Sequence, residues 1–511
     1  MYIIKKNKDD NWIIIKEGNK RATKVFETKA EAVAYAEKKY NDDYKIEDEF
    51  EVVRKVHKKW PKVFWTLAVL LLIAVVVVGV LFFTGKIKLN KGEVEPTPTP
   101  TEPIDPNASI VENVKLEGLE FHFMEFGNAA NGDSTYIKAG DTDILIDAGS
   151  QSASATHLIE YINQYCTDGK LEYVITTHAD TDHISGMYGL KENGVNSKGE
   201  AITNTGILYY YEVGTIIDFA RTGKGDGQNV TKYRSAVDYA VSKGAKHYNA
   251  RQCWNEEDGA LRSYTLANVG GNDITMDILF NKYYFNDDAE IKGNKGYTPG
   301  VTKPIDPKYK TSDENEYSVV TMFNYGSKHY LLTGDLETHG EESLAAYYDG
   351  KTPEKTLPEV DLFKAGHHGS PTSSNDVLLD IIKPKISVVS CSAGAIEYTN
   401  NNDNVFPSQA FINRIAKHTD RVYVTTMVDY KESIKTGDDV FKSLNGTVIV
   451  SSNGSQTGLW ASNNLTKLKD SDWFNEEVYM VDGKVADKKK GDLYTKDTPN
   501  AVLKPRRIWP S

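Results

Sequence analysis

LEYVIT-Thr177-His178-Ala179-Asp180-Thr181-Asp182-His183, residues 171–183, is the stretch from which the fold of this chain is read. Its first six residues are an apolar, β-prone run. Four potential metal ligands then fall within the six positions 178–183. A cation needs several convergent lone pairs from imidazole nitrogens or carboxylate oxygens. A tight turn at the end of a strand supplies them from one short segment.

Three more strands end the same way. LLTG-Asp335 runs from an apolar strand into Gly-Asp, and a single carboxylate can bridge two metals through its two oxygens. VDLFKAG-His367-His368-GS places two adjacent histidines between glycines, which leave room for a metal or a phosphate. ILI-Asp147-AG is the fourth case. Each motif alone also reads as an ordinary solvated turn. Their repetition puts the polar groups at one edge of a sheet, where loops converge.

In this order the motifs resemble the metallo-β-lactamase superfamily. Within it they are most similar to the soluble domain of bacterial competence DNA-uptake channel proteins. FMEFGNAANGDSTYIKAG, ENEYSVVTMFNYGSKHYLLTGDLE, VDLFKAGHHGSPTSS and NVFPSQAFINRIAKHTDRVYVTT followed by SLNGTVIVSSNG carry the likeness, over residues 116–458. It implies a four-layer αβ/βα sandwich and two divalent metal ions, Zn²⁺ or Mn²⁺, at the sheet edges. Carried over, His178 and Asp180 hold the first ion, Asp182 and His183 the second with one of the histidine pair, and Asp335 bridges. His367 is assigned as that ligand, which leaves His368 as a candidate acid or phosphate contact. Asp182 is the other catalytic candidate, taking a water proton, as Asp180 also could. Asp147 orients ligands from behind, as outer carboxylates often do.

The chain departs from the family at three places. Asp180 stands where many members have His. No further His completes the first metal, because His247 in KGAKHYN is the lone His between 184 and 328 and reads as part of a strand or loop. Phe406-Pro407 stands where His-Pro is common. The first ion is therefore the less secure one, and the oxygen ligands widen the choice of metal from Zn²⁺ to Mn²⁺.

Outside this region, Val63–Phe83 is an uncharged apolar run of membrane-spanning length. Arg54, Lys55, Lys58, Lys59 and Lys62 precede it, whereas Lys86, Lys88 and Lys91 follow, which favours a cytoplasmic N-terminus. Residues 1–59 read as a small α+β cytoplasmic domain, with strands at Tyr2–Ile4 and Trp12–Ile15 and a capping box at Thr28–Glu31 opening a helix. They are similar to a small uncharacterised bacterial domain. The Pro/Thr-rich residues 84–115 read as an extracellular stalk. Within 116–458, strands interleave with helices such as His157–Tyr165, giving a layered α/β pattern. Residues 187–270 and 286–314 read as polar insertions. Residues 459–511 form an extension in which no chemistry is legible.

Residues 1–62 carry 16 Lys and Arg against 12 Asp and Glu, and the remainder 44 against 60. An acidic body of this kind argues against loose nucleic-acid binding through a broad basic face. Cys166, Cys253 and Cys391 form no metal or disulfide pattern and read as buried small hydrophobes.

The expectation is a single-pass, membrane-anchored hydrolase that acts outside the cell through a metal-activated water. Its substrate would be a phosphodiester, in nucleic acid or a phosphate-bearing surface polymer. Two other readings stand beside it: a lactone or amide (β-lactam-like) hydrolase, and a surface binding or sensor protein with a degenerate site. Ser370, Thr372 and Ser373 serve either to hold a phosphate or to cap the helix that follows.

Overall fold

The computed structural model describes residues 109–510 except 127–131, 221, 223, 225–226, 286–313, 396–400, 431–432, 434–439 and 488–491. Before residue 109 it describes 2–6, 12–16, 24–26, 32–33, 35–36, 39 and 44–46. The Val63–Phe83 run and residues 84–108 of the stalk lie outside these. Among the described residues no helix is long and apolar enough to cross a membrane. The chain divides into two units, Met1–Pro96 and Thr97–Ser511.

The N-terminal unit holds a four-stranded sheet in the order Lys24–Phe26, Trp12–Lys16, Tyr2–Lys6, Tyr44–Ile46. Two strands join the two read from the sequence. Ala32 and Ala36, one helical turn apart, bury against Ile4 and Ile14.

The C-terminal unit is built on two large sheets. The first has nine strands, ordered Lys246–Asn249, Glu212–Asp218, Lys170–Thr176, Thr142–Ile146, Thr135–Ala139, Leu119–Phe123, Val448–Ser452, Thr457–Ala461 and Ile110–Glu112. The second has eight, ordered Ser263–Val269, Asn272–Ile278, Thr321–Tyr325, Lys328–Leu332, Leu362–Lys364, Ile386–Ala393, Val422–Val428 and Phe441–Ser443. In both, antiparallel hairpins lead into parallel strands. The parallel strands need crossover helices, and these cover the outer faces.

Alternation along the strands sorts the side chains into three cores. Phe121, Ile137, Ile175, Phe323, Tyr330 and Ile386 meet between the two sheets. Leu145, Val174 and Ile216 face the other way, toward Leu158, Ile184 and Val237 of the helices Ser154–Ile162, Thr181–Tyr188 and Gln228–Ser242. Leu331, Phe363 and Val389 pack on Leu344, Leu379 and Ile412 of Thr338–Tyr347, Asp376–Ile382 and Gln409–Ile415. The result is the expected four-layer αβ/βα sandwich.

Several boundaries differ from the sequence reading. Residues 187–270 are not simply an insertion: they supply the strands Glu212–Asp218, Lys246–Asn249 and Ser263–Val269, which extend both sheets. Their polar side chains hid the pattern because these strands lie near or at sheet edges. Ile110–Glu112, read as the end of the stalk, pairs in parallel with Thr457–Ala461. The boundary drawn at 458 therefore falls inside a strand. Beyond it, Leu468, Trp473 and Phe474 bury in the outer core of the second sheet. The three cysteines are free and buried.

Phe323 is fully buried between the sheets and meets Phe121 edge to face at 5.2 Å. Phe323→Ala should cost about 3–5 kcal/mol, the usual loss for a buried aromatic. Denaturant unfolding of the full chain measures it. A loss below roughly 1 kcal/mol would contradict a tightly packed inter-sheet core.

Candidate metal centre

The motif turns knit together through the backbone before any ligand is placed. Asp147 sits at φ 58°, in the left-handed region. Ala148 N donates to His183 O at 2.8 Å, Gly186 N to Ala148 O at 3.1 Å, and Asp133 N to Asp182 O at 3.0 Å. A Cβ at Gly186 would lie 2.1 Å from Ala148 O, so only glycine allows this approach.

The Asp147 carboxylate then orders the side chains. It accepts from Thr177 N at 2.8 Å, from Thr177 Oγ1 at 2.7 Å and from His183 Nδ1 at 2.7 Å. Because the Thr177 hydroxyl donates to Asp147, it accepts from His178 Nδ1 at 3.0 Å. His368 Nδ1 donates to the Ser390 carbonyl at 2.7 Å. All three histidines thus spend Nδ1–H on an acceptor and turn Nε2 inward, the arrangement that fixes the tautomer of a metal-ligating imidazole.

The inward atoms converge. Asp182, His183, Asp335 and His368 each bring one ligand atom within 4.8 Å of all the others. His183 Nε2 lies 3.1 Å from Asp335 Oδ2 and 3.9 Å from Asp182 Oδ2. His368 Nε2 lies 3.1 Å from Asp182 Oδ2 and 3.3 Å from Asp335 Oδ2. His178 Nε2, His183 Nε2 and Asp335 Oδ1 are buried without a hydrogen-bond partner. Two imidazole nitrogens and two carboxylates with lone pairs facing one another fit a divalent cation.

The electrostatics agree. Burial opposes charge on His183, but Asp335, Asp147 and Asp182 outweigh it and hold the imidazole well above its usual range. His368 is likewise pushed up to about 10, against burial, by Asp335 and Asp182. Burial raises Asp335 and Asp182, yet His183 and His368 hold both below the ordinary carboxylate range. His178 moves opposite to these two histidines: burial and the neighbouring His183 lower it.

The remaining expected residues are placed as follows. His367 is not in the quartet. Its Nδ1 donates to Glu337 Oε1 at 2.7 Å and its Nε2 stands 4.0 Å from Asp335 Oδ2. His368, not His367, is the member of the pair that joins the quartet. Both adopt left-handed backbone angles, φ 43° and 55°, which turn His368 inward and leave His367 at the cavity. Asp180 also stands apart, ion-paired to Lys224 at 2.6 Å. His247 is remote, paired with Asp218 at 2.9 Å. Helix capping by Ser370 or Ser373 is not seen. Asn375 holds the N-cap position, while Ser373 Oγ donates to Leu336 O at 2.8 Å.

Three residues here escaped the sequence reading. Lys364, buried, ion-pairs with Asp133 and lies 3.9 Å from Asp335 Oδ1. Burial disfavours its charge, but Asp133 and Asp335 outweigh this and hold its pKa above the lysine norm. Glu314 accepts from Ala179 N, beside His178, at 3.2 Å. The visible signals were Gly132-Asp133 and a lysine directly before Ala-Gly-His-His, both easily read as surface groups.

A cavity of about 390 Å³ opens over the quartet. Asp180, Asp182, Asn315, Asp335 and His367 line one side, and Pro371, Ala395, Val405 and Phe406 supply apolar surface. Half-buried Arg414 and buried Glu341 hold the segment from Pro371 to Asn375. Arg414 donates to the carbonyls of Ser373 at 2.6 Å, Ser374 at 2.8 Å and Pro371 at 3.1 Å. Glu341 accepts from Ser374 N at 2.6 Å and Asn375 N at 2.8 Å.

Two outcomes are expected for metal binding. Asp147→Asn should weaken Zn²⁺ or Mn²⁺ binding by about 10–100-fold, the usual effect of losing an outer partner. Chelator competition measures it, and unchanged affinity would remove Asp147 from its orienting role. Affinity should also fall as pH drops from 8 to 6. The raised His183 and His368 must each give up a proton to bind the cation. Titration calorimetry at several pH values should show proton release; a pH-independent affinity would contradict the site.

Residues 127–393 match the model of the metallo-beta-lactamase superfamily, and residues 2–47 match one described as an uncharacterized protein conserved in bacteria. Competence protein ComA of Neisseria gonorrhoeae is 37% identical over 109 residues, 21% of this chain and 14% of that protein. ComE operon protein 3 of Bacillus subtilis is 29% identical over 114 residues, 22% of this chain and 13% of that protein. The matched segments thus span a small part of these relatives. A solved metallo-beta-lactamase fold protein, YhfI from Bacillus subtilis, aligns over 60% of this chain and 96% of its own. Its 11% identity and TM-score of 0.28 are too slight to argue from. With its motif turns assembled around a site fit for a divalent metal, the chain belongs to the metallo-beta-lactamase superfamily.

Proposed function

We propose that this metal-dependent hydrolase cleaves phosphodiesters. The observation that carries the reading is the Asp182–His183–Asp335–His368 quartet beneath a cavity lined by both polar groups and apolar surface. A divalent ion held by the quartet supplies Lewis acidity toward a phosphoryl oxygen and toward water. His178 and Asp180 are the residues for a second Zn²⁺ or Mn²⁺. That ion is held more weakly, because Lys224 already neutralises Asp180.

The chain's own groups do the rest. Asn315, in the cavity lining, orients a phosphoryl oxygen, while the Thr372 hydroxyl beside it donates to Glu337 Oε1 at 2.7 Å. Asp182, which lines the cavity, is placed to accept the proton of the attacking water. His367, with Nδ1 committed to Glu337, protonates the leaving oxygen from Nε2. Phe406, Val405, Ala395 and Pro371 receive the apolar part of the substituent.

The Val63–Phe83 run and the basic residues before it support a single-pass anchor with the N-terminus in the cytoplasm and the hydrolase outside the cell. The substrate is then an extracellular nucleic acid or a phosphate-bearing surface polymer. The similarity to competence proteins favours nucleic acid; the acidic body favours a surface polymer.

Bis-p-nitrophenyl phosphate should be turned over by the metal-loaded protein and nitrocefin should not. Asp182→Ala should lower phosphodiester turnover by about 100-fold or more, and His367→Ala by about 10²-fold through kcat. Preferential turnover of nitrocefin, or phosphodiester turnover untouched by Asp182→Ala, would overturn the reading.

A further inference from the structure

The C-terminal extension carries two buried arginines, Arg506 and Arg507. The Arg507 guanidinium reaches back across about a hundred residues to the segment that forms the apolar wall of the cavity. Its Nη2 donates to Val405 O at 2.5 Å and its Nε to Pro407 O at 2.9 Å. Its Nη1 donates to Asn402 Oδ1 at 3.0 Å and to Arg506 O at 2.7 Å. The carbonyl between the two on the wall, Phe406 O, accepts from Gly394 N at 2.8 Å. Three consecutive carbonyls of the wall are therefore satisfied, two of them by one side chain.

The rest of the tail holds Arg507 in place. Asn402 Nδ2 donates to Arg506 O at 3.1 Å. Gln409 and Ile508 exchange two hydrogen bonds, at 2.6 and 3.0 Å. Arg506 pairs with Glu476 at 2.7 Å, its guanidinium 5.5 Å from the Trp473 ring centroid. On the other side of the segment, Phe406 lies nearly parallel to the His368 ring at 6.2 Å and meets His367 at 5.4 Å.

We propose that Arg507 is a positioning residue: it sets the Val405–Phe406 wall against the histidine pair and so fixes where the apolar part of the substrate sits. The planar guanidinium suits the task because its donors point in fixed, coplanar directions and match several carbonyls at once. It touches none of the quartet, so it acts on substrate binding and not on metal binding. The inference rests on the phosphodiesterase reading for its substrate and on hydrogen bonds alone for the clamp.

The test uses the full chain with Arg507→Ala and Arg507→Lys. In Arg507→Ala, hydrogen exchange should quicken at residues 401–409 and at Gly394, and stay unchanged at 177–188. Bound metal should equal that of the wild type. KM for bis-p-nitrophenyl phosphate should rise about tenfold or more with kcat within about threefold, the pattern of lost uniform binding. Arg507→Lys, which keeps a cation but not the fork, should recover part of the loss and serves if the alanine variant does not fold. Unchanged exchange at 401–409, or loss of metal and kcat with KM unaltered, would overturn the proposal. If the wild type turns over no phosphodiester, the proposed function falls, and the exchange data alone decide the clamp.

Discussion

The Asp147 carboxylate is the interaction on which the site depends. It is buried, and it takes the backbone amide and hydroxyl of Thr177 together with His183 Nδ1. Two strands and the helix after the second are thereby tied at one point. Through the Thr177 hydroxyl the same carboxylate sets the tautomer of His178. A buried carboxylate is tolerated only when its lone pairs are filled, and here the groups that fill them are those that aim the imidazoles inward.

Convergence of charge has to be balanced around that point. Asp182 and Asp335 face each other across His183 and His368, and Asp133 lies beside them. Lys364, a buried ammonium, is ion-paired with Asp133 and lies 3.9 Å from Asp335 Oδ1. The same ammonium is a fixed positive charge beside one oxygen of Asp335. Asp180, paired to Lys224, lies outside the quartet.

The cavity walls obey one rule. Each is an irregular segment whose carbonyls have no sheet to pair with, and each is gathered by an arginine, one half-buried and one buried. Arg414 serves the wall after the histidine pair, with Glu341 taking the amides. Arg507 serves the wall opposite. Irregular backbone can line a cavity beside a metal site because these side chains supply the hydrogen bonds that a ladder would otherwise give.

The amino-acid sequence by itself determined the superfamily, the sheet-edge location of the site and most of the ligand residue types. Those signals are local: a strand, a turn and a chelating side chain within a few residues, as in His178 to His183. Tertiary structure decided which of two adjacent histidines points inward, because left-handed backbone at both His367 and His368 is imposed by surrounding contacts. It decided that residues 187–270 extend the sheets, since edge strands carry too little apolar alternation to be seen. It decided the parts played by Lys364 and Arg507, whose partners Asp133 and Val405 lie far along the chain. The physical reason is the same in each case: a buried charge is explained by what surrounds it in space, and spacing along the chain does not record that.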